Sequence, residues 1–279
     1  MIAWLGTGLL GANFVRALTA RGKTVHVWNR SPAKARALEE AGARAFDDPA
    51  DAVRGASRVH ITLKDDETVD DILSRASSGF SKDTIVVDHT TTAPALTAQR
   101  VARSAVRFLH APVFMGPPNA LAATGTMLVS GEPDLIAAVK PELAKMTGKV
   151  VELGDDPSRA ASMKLLGNHL IVVLTVGVSD SLALAESLGL TRNALGELLE
   201  FFNPGLQLPA RMARLQAEDY ENPSWTLAMA RKDVRLMQEA ARDGNVELMA
   251  LPGIAERMDE WIGRGRSDDD WTLVSKKAE

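Results

Sequence analysis

Gly6, Gly8 and Gly11, in the run GTGLLG, stand between a short apolar stretch and the start of an apolar-periodic one. Glycine meets a different need at each place. Gly6 allows a tight turn, Gly8 lets the backbone approach a pyrophosphate, and Gly11 lets a helix pack closely on a strand. Leu9 and Leu10 complete the turn, and the helix that begins there offers free N–H groups and a dipole that favour an anion. The chemistry of this run is the binding of a dinucleotide.

The second apolar run ends in VHVWNRSPAK, about 20 residues past the glycines, where an NAD site carries an acid for the ribose hydroxyls. Asn29, Arg30 and Ser31 stand there instead, with Lys34 one helical turn on. A carboxylate would repel the extra phosphate of NADP, whereas a guanidinium fork and short polar groups suit it. The expected cofactor is NADP(H). A second chemical pair is Lys164 and Asn168, four apart and so on one face of a helix that is otherwise apolar. A lysine stem snorkelling to solvent would explain Lys164 alone.

The elements that must hold these groups can be read from the spacing. Short β-rich runs (2–5, 24–28, 43–46, 58–63, 84–88, 106–112, 126–131, 149–153) alternate with helical segments (9–21, 32–41, 66–75, 94–103, 133–146), a pattern of parallel βαβ units. After Gly154 the β signals fade. Residues 158–188 hold no proline and predict one long buried helix, followed by helices over 192–202, 209–216, 225–242 and 252–263. The expectation is an α/β protein: a doubly wound Rossmann domain over 1–157, then an all-helical substrate and dimerisation domain over 158–279, joined by the long helix.

Three further segments, DHTTTAP (88–94), HAPVFMG (110–116) and SMKLLGNHL (162–170), together with RKDVRL (231–236), make the chain resemble the β-hydroxyacid dehydrogenase family over nearly its whole length. The resemblance implies hydride transfer between a nicotinamide and a carbonyl or alcohol, with Lys164 as acid/base, Asn168 and Thr90 orienting the substrate, and Thr91 and Lys232 beside the cofactor. It implies cofactor contacts at Leu63 and Lys64, the latter standing where the family has proline. Asp233 would orient the lysine before it. Substrate contacts are expected from Phe114, Met115, Gly116 and Trp225. The family reads DAPVSGG where this chain has HAPVFMG, so Phe114 and Met115 displace the turn that holds a substrate carboxylate, and Gly167 replaces the first of two asparagines. A substrate bulkier or less charged than the family's is therefore expected. An imine reductase of the same fold, or a non-catalytic NADP-binding module, is the alternative, and a lysine at 164 speaks against both.

Composition limits the remaining classes. The 279 residues are 46% apolar and 24% charged, as in ordinary globular proteins. Basic residues number 32 against 36 acids and are scattered, so no nucleic-acid partner is expected. There is no cysteine, which excludes disulfides and thiolate metal sites and suits a reducing cytoplasm. The longest strongly apolar run, Leu170–Val178, falls short of the ~20 residues of a membrane span. The expectation is thus a cytoplasmic aldehyde-reductase-like homodimer, away from membranes, acting on a small carbonyl or hydroxy compound. His26, His60, His89, His110 and His169 lack metal-ligand spacing, so no metal site is expected, and Asp268–Asp270 reads as a solvated charge run.

Overall fold

The computed structural model describes residues 1–277. In chain order the elements are β1 (Ile2–Leu5), α1 (Leu9–Ala20), β2 (Val25–Trp28), α2 (Pro32–Arg36), β3 (Arg44–Phe46), α3 (Pro49–Val53), β4 (Arg58–Ile61), α4 (Asp66–Ala76), β5 (Ile85–Asp88), α5 (Pro94–Arg103) and β6 (Arg107–His110). Then come β7 (Val113–Phe114), α6 (Pro117–Ala122), β8 (Thr126–Val129), α7 (Pro133–Leu143) and β9 (Lys149–Glu152). The helical part holds α8 (Arg159–Ser187), α9 (Ala194–Phe201), α10 (Leu208–Ala217), α11 (Leu227–Asp243) and α12 (Leu251–Gly263).

The first six strands form one parallel sheet in the order β3-β2-β1-β4-β5-β6. The chain winds outward from β1 in one direction and from β4 in the other, so a crevice opens where Leu5 of β1 lies beside Ile61 of β4. Ligands of open α/β sheets bind at such a reversal, outside the carboxyl ends of the strands. Strand β1 is buried throughout, as helices on both faces require. Its Ile2 and Trp4 join a core with Phe14, Val15 and Leu18 of α1, while Ala3 and Leu5 join the opposite core with Val53, Val69 and Ile72.

Two features differ from the sequence reading. The run expected as one strand over 106–112 stops at His110, because Pro112 cannot donate to a ladder, and Val113–Phe114 starts a second sheet of order β7-β8-β9. The helix expected over 32–41 stops at Arg36, and a single 3-10 turn carries the chain to Gly42 in the left-handed conformation. Both short helices that the pattern does not reveal, α3 and α6, begin at a proline following a capping residue, Asp48 or Gly116.

The chain divides into two compact units, 1–169 and 170–279, so the division falls within α8 rather than ahead of it. In the second unit Tyr220, Leu227, Val234, Met258 and Leu273 form the core. Asp270 is fully buried, which corrects the expectation of a solvated run over 268–270. Its carboxylate accepts from the Ser224 amide (2.8 Å) and the Thr272 hydroxyl (2.7 Å), so it caps the 3-10 turn Trp271–Ser275. Among the described residues α8 is the one helix long and apolar enough to cross a membrane, with a mean hydropathy of 1.6 over 18 residues. Counting only Leu170–Val178 understated its apolar length.

Candidate functional site

The glycine loop sits at the sheet reversal, and the structure gives each glycine its own reason. Gly6 has φ +96°, and a Cβ there would strike the Thr62 peptide, with the carbonyl carbon at 2.9 Å. A Cβ on Gly11 would press on the Gly6 carbonyl and on Trp4 Nε1 at 2.9 Å. Gly8 has nothing within 4 Å, and as the N-cap of α1 it provides no side chain to satisfy the helix's first N–H groups. The loop is pinned from below: Trp4 Nε1 donates to Thr62 Oγ1 (2.8 Å), whose own proton goes to the Gly6 carbonyl (2.6 Å).

A cleft of about 700 Å³ opens over this loop, lined by Gly6, Gly8, Asn29, Arg30, Ser31, Lys34, Thr62, Leu63 and Lys64, with Asp65, Glu67 and Asp71 from the α4 side. The open N-terminus of α1 and a cleft of this size fit the pyrophosphate and one nucleoside of a dinucleotide. The residues after β2 divide the work. Asn29 Oδ1 accepts from the Thr7 amide (3.0 Å) and its Nδ2 donates to the Ser31 carbonyl (3.1 Å), so this side chain ties the two loops together. Arg30, Ser31 and Lys34 are exposed at the rim. Leu9 is exposed, Leu10 is half-buried against the core, and Lys64 pairs with Asp65 at 3.1 Å.

Thr90 is buried and held on all sides. Its amide donates to Asp88 Oδ1 (2.9 Å), its hydroxyl accepts from the Leu63 amide (3.0 Å), and its carbonyl accepts from His110 Nε2 (2.9 Å). Thr91, the next residue, exposes its side chain. Sequence reasoning missed the support beneath: burial pushes the Asp88 carboxyl up and the His110 imidazole down, and Arg100, itself buried, binds Asp70 (2.6 Å) and Asp66 (2.9 Å). His110 stands where the family has aspartate, and that replacement was the available signal.

Lys164, Gly167 and Asn168 lie on α8, all half-buried. Lys164 Nζ stands 4.4 Å from the centre of the Phe114 ring, and no ion pair engages it among the described residues. Burial draws its ammonium pKa below the ordinary lysine value. In the opposing segment Gly116 donates its amide to Asn119 Oδ1 (2.9 Å), and Met115 packs on the core. Asn119 is a further residue missed from sequence, legible only as the third residue after an N-cap glycine. In the second unit, Lys232 pairs with Asp233 (2.8 Å), and Trp225 stacks obliquely on Trp271 with ring centres 5.7 Å apart. No cluster of three or more metal-binding side chains occurs among the described residues.

Comparison with known proteins places this geometry. Residues 1–154 match the family described as the NAD binding domain of 6-phosphogluconate dehydrogenase. The chain is 26% identical to the mitochondrial 3-hydroxyisobutyrate dehydrogenase of Drosophila melanogaster, over 98% of this chain and 87% of that one. It is 30% identical to an NAD-dependent L-serine dehydrogenase of Pseudomonas aeruginosa, over 86% and 85%. An imine reductase from Myxococcus stipitatus, solved with NADP+, shares its fold with a TM-score of 0.87 at 18% identity, over 99% and 98% of the two chains.

Proposed function

The chain belongs to the β-hydroxyacid dehydrogenase family, with an NAD-binding domain of the 6-phosphogluconate dehydrogenase type, and from that premise we propose an NADP(H)-dependent reductase of carbonyl compounds in which Lys164 handles the proton. The observation that carries the reading is Lys164 itself: a half-buried lysine with no acid partner among the described residues, its pKa lowered by burial. The glycine loop and the residues after β2 would hold the dinucleotide, whose reduced nicotinamide would supply the hydride for the carbonyl carbon. As the C=O pair moves onto oxygen, Lys164 Nζ gives that oxygen its proton, leaving an alcohol and a neutral amine. In the oxidative direction the amine takes the proton back. A lowered pKa serves both directions, because the amine exchanges its proton closer to working pH. Asn168, four residues on, orients the substrate by hydrogen bonding, and Thr90, tied to Leu63 and Asp88, fixes the loop after β5.

The choice of NADP(H) rests on Asn29, Arg30 and Ser31, which follow β2 where an NAD site carries an acid, and on Lys34 beside them in the same cleft. Names of relatives point both ways, since one is NAD-dependent and a fold neighbour carries NADP+. Titration of the two reduced cofactors decides it: NADPH should bind more tightly, and Arg30→Ala should weaken it by about 1.5 kcal/mol, roughly tenfold. Equal affinities would exclude the preference. For the proton, Lys164→Ala should lower kcat at least ~100-fold while leaving NADPH affinity intact; near-normal turnover would remove Lys164 from the chemistry.

Reduction of C=N in place of C=O is the second reading, favoured by the apolar Phe114 ring beside Lys164, which suits a neutral imine as well as a neutral carbonyl. A cyclic imine assayed beside aldehydes with NADPH separates the two. The exposed apolar side chains of α8, among them Leu170, Ile171, Val172, Leu174 and Val178, are each about half exposed in the single chain, with values of 49–61%. A contiguous patch of this kind marks an interaction surface. We assign it to a second copy of the chain rather than to lipid, because Asp180 on the same helix accepts from the amides of Met249 (3.0 Å) and Ala250 (2.9 Å), and a carboxylate is costly within a bilayer. The cysteine-free composition suits the cytoplasm.

A further inference from the structure

Phe114 is the last residue of β7, in register with Thr126 of β8. Its ring reaches the early turns of α8, where an added Cβ on Gly167 would stand 2.6 Å from Cε1 and nearer still to Cζ. No side chain at 167 coexists with the ring in this place. Lys164, one turn before Gly167 on the same helix face, holds its ammonium 4.4 Å from the ring centre. The two departures from the family pattern, a phenylalanine at 114 and a glycine at 167, are therefore a single exchange in space: the ring occupies the room that a side chain at 167 would need.

The exchange also changes what the wall offers a substrate. The Gly116 amide is committed to Asn119 Oδ1 (2.9 Å), and Pro117 and Pro118 have no amide to give. A Cβ on Gly125 would stand 2.8 Å from Met115 Cγ, so Met115 is fitted into the turn rather than free to leave it. What faces Lys164 from this side is an aromatic face.

We propose that Phe114 and Gly167 form a coupled specificity pair, by which the carbonyl compound brought to Lys164 carries an uncharged, apolar aryl or branched substituent rather than a carboxylate. The proposal rests on the reading of Lys164 as the proton donor. Aromatic rings prefer such partners, stacking offset or edge to face, whereas a carboxylate placed against the ring would lose water with no amide from Gly116, Pro117 or Pro118 to replace it, and would draw Lys164 Nζ away from the carbonyl oxygen.

The test is a double-mutant cycle of Phe114→Ser and Gly167→Asn, read by kcat/KM with NADPH for phenylacetaldehyde and for succinic semialdehyde, and by thermal melting. The wild type should favour phenylacetaldehyde at least ~10-fold, and Phe114→Ser should shrink that ratio by ~10-fold, the scale of one specific contact. Gly167→Asn alone should lower the melting temperature and the activity on both aldehydes, because the ring must leave. On the Phe114→Ser background it should cost distinctly less. Gly167→Ala serves the same cycle if the asparagine variant does not fold. Additive melting shifts, or an unchanged substrate ratio in Phe114→Ser, overturn the pair. If the wild type reduces neither aldehyde, the reductase reading fails, and the pair is judged by melting and by calorimetry of 2-phenylethanol against 4-hydroxybutanoate. Preference for 2-phenylethanol that Phe114→Ser removes then sustains the pair, and its absence overturns it.

Discussion

The floor of the cofactor crevice and the wall beside Lys164 are built on different principles. On the floor, backbone meets backbone: Gly6, Gly11 and the Thr62 peptide touch, and beneath them Trp4, His60 and His89 stack in the buried core. The Trp4 indole donates to the Thr62 hydroxyl, which in turn donates to the Gly6 carbonyl, so one polar relay fixes the turn. On the wall, contact is made by side chains that are only half-buried, and a large residue on β7 is matched by a missing one on α8. A region of the first kind resists change because any added atom displaces the fold. A region of the second kind can trade one side chain for another, which is where a family diversifies its substrates.

The largest expected effect tests the floor through acid. Arg58 Nε donates to His60 Nε2 (2.8 Å), so the His60 proton lies on Nδ1 and is donated to His89 Nε2 (2.9 Å). His89 in turn donates from Nδ1 to the Ala111 carbonyl (2.7 Å). Both imidazoles are thus neutral, and a second proton on either would set donor against donor. Burial brings the His89 pKa down to about 4 and that of His60 well below its ordinary value, with the Arg58 charge acting in the same direction on both. Below pH 6.5 the unfolded chain binds protons that the folded chain refuses, so stability is complete above that pH and falls as pH drops toward 4. His89 alone should account for about 3 kcal/mol across the window. Depressed carboxylates such as Asp65, at about 2, act only below it. Denaturant unfolding at pH 7.5 and pH 5 should show about 2 kcal/mol of that loss, and equal stabilities would mean that the histidine chain opens without cost.

The same contrast explains what was legible in the sequence. The glycine run, the alternation of strands and helices and the long α8 could all be read because backbone requirements restrict residue type to one or two choices. The break at Pro112 that sends Val113–Phe114 to a second sheet was missed, since a proline at a strand end and one inside a strand look alike before the pairing is known. Asp270 was misread because an acid in a run of acids gives no local sign that Ser224, far away in sequence, will meet it. Phe114 and Gly167 were each visible as departures. Their coupling was not, because it depends on a distance between β7 and α8 that no spacing encodes.

The smallest expected effect comes from the glycine that breaks the pattern of the floor. Gly11→Ala puts a methyl against the Gly6 carbonyl and Trp4 Nε1, and overpacking of this kind costs about 2 kcal/mol of stability. Gly8→Ala puts the same methyl where nothing lies within 4 Å, on an N-cap with φ −67° that any residue adopts. Its stability should stay within about 0.5 kcal/mol of the wild type, as for substitutions that touch no packed feature. Affinity should behave in the opposite sense for Gly8, because the role left to it is to let the backbone approach a pyrophosphate. An added methyl there should weaken NADPH at least ~10-fold, about 1.4 kcal/mol, with the melting temperature of the free protein unchanged. Melting curves and cofactor titrations on the two variants separate packing from ligand approach. If Gly8→Ala melts early, or binds NADPH as the wild type does, the open face over Gly8 is not where the phosphates sit, and the floor serves the fold alone.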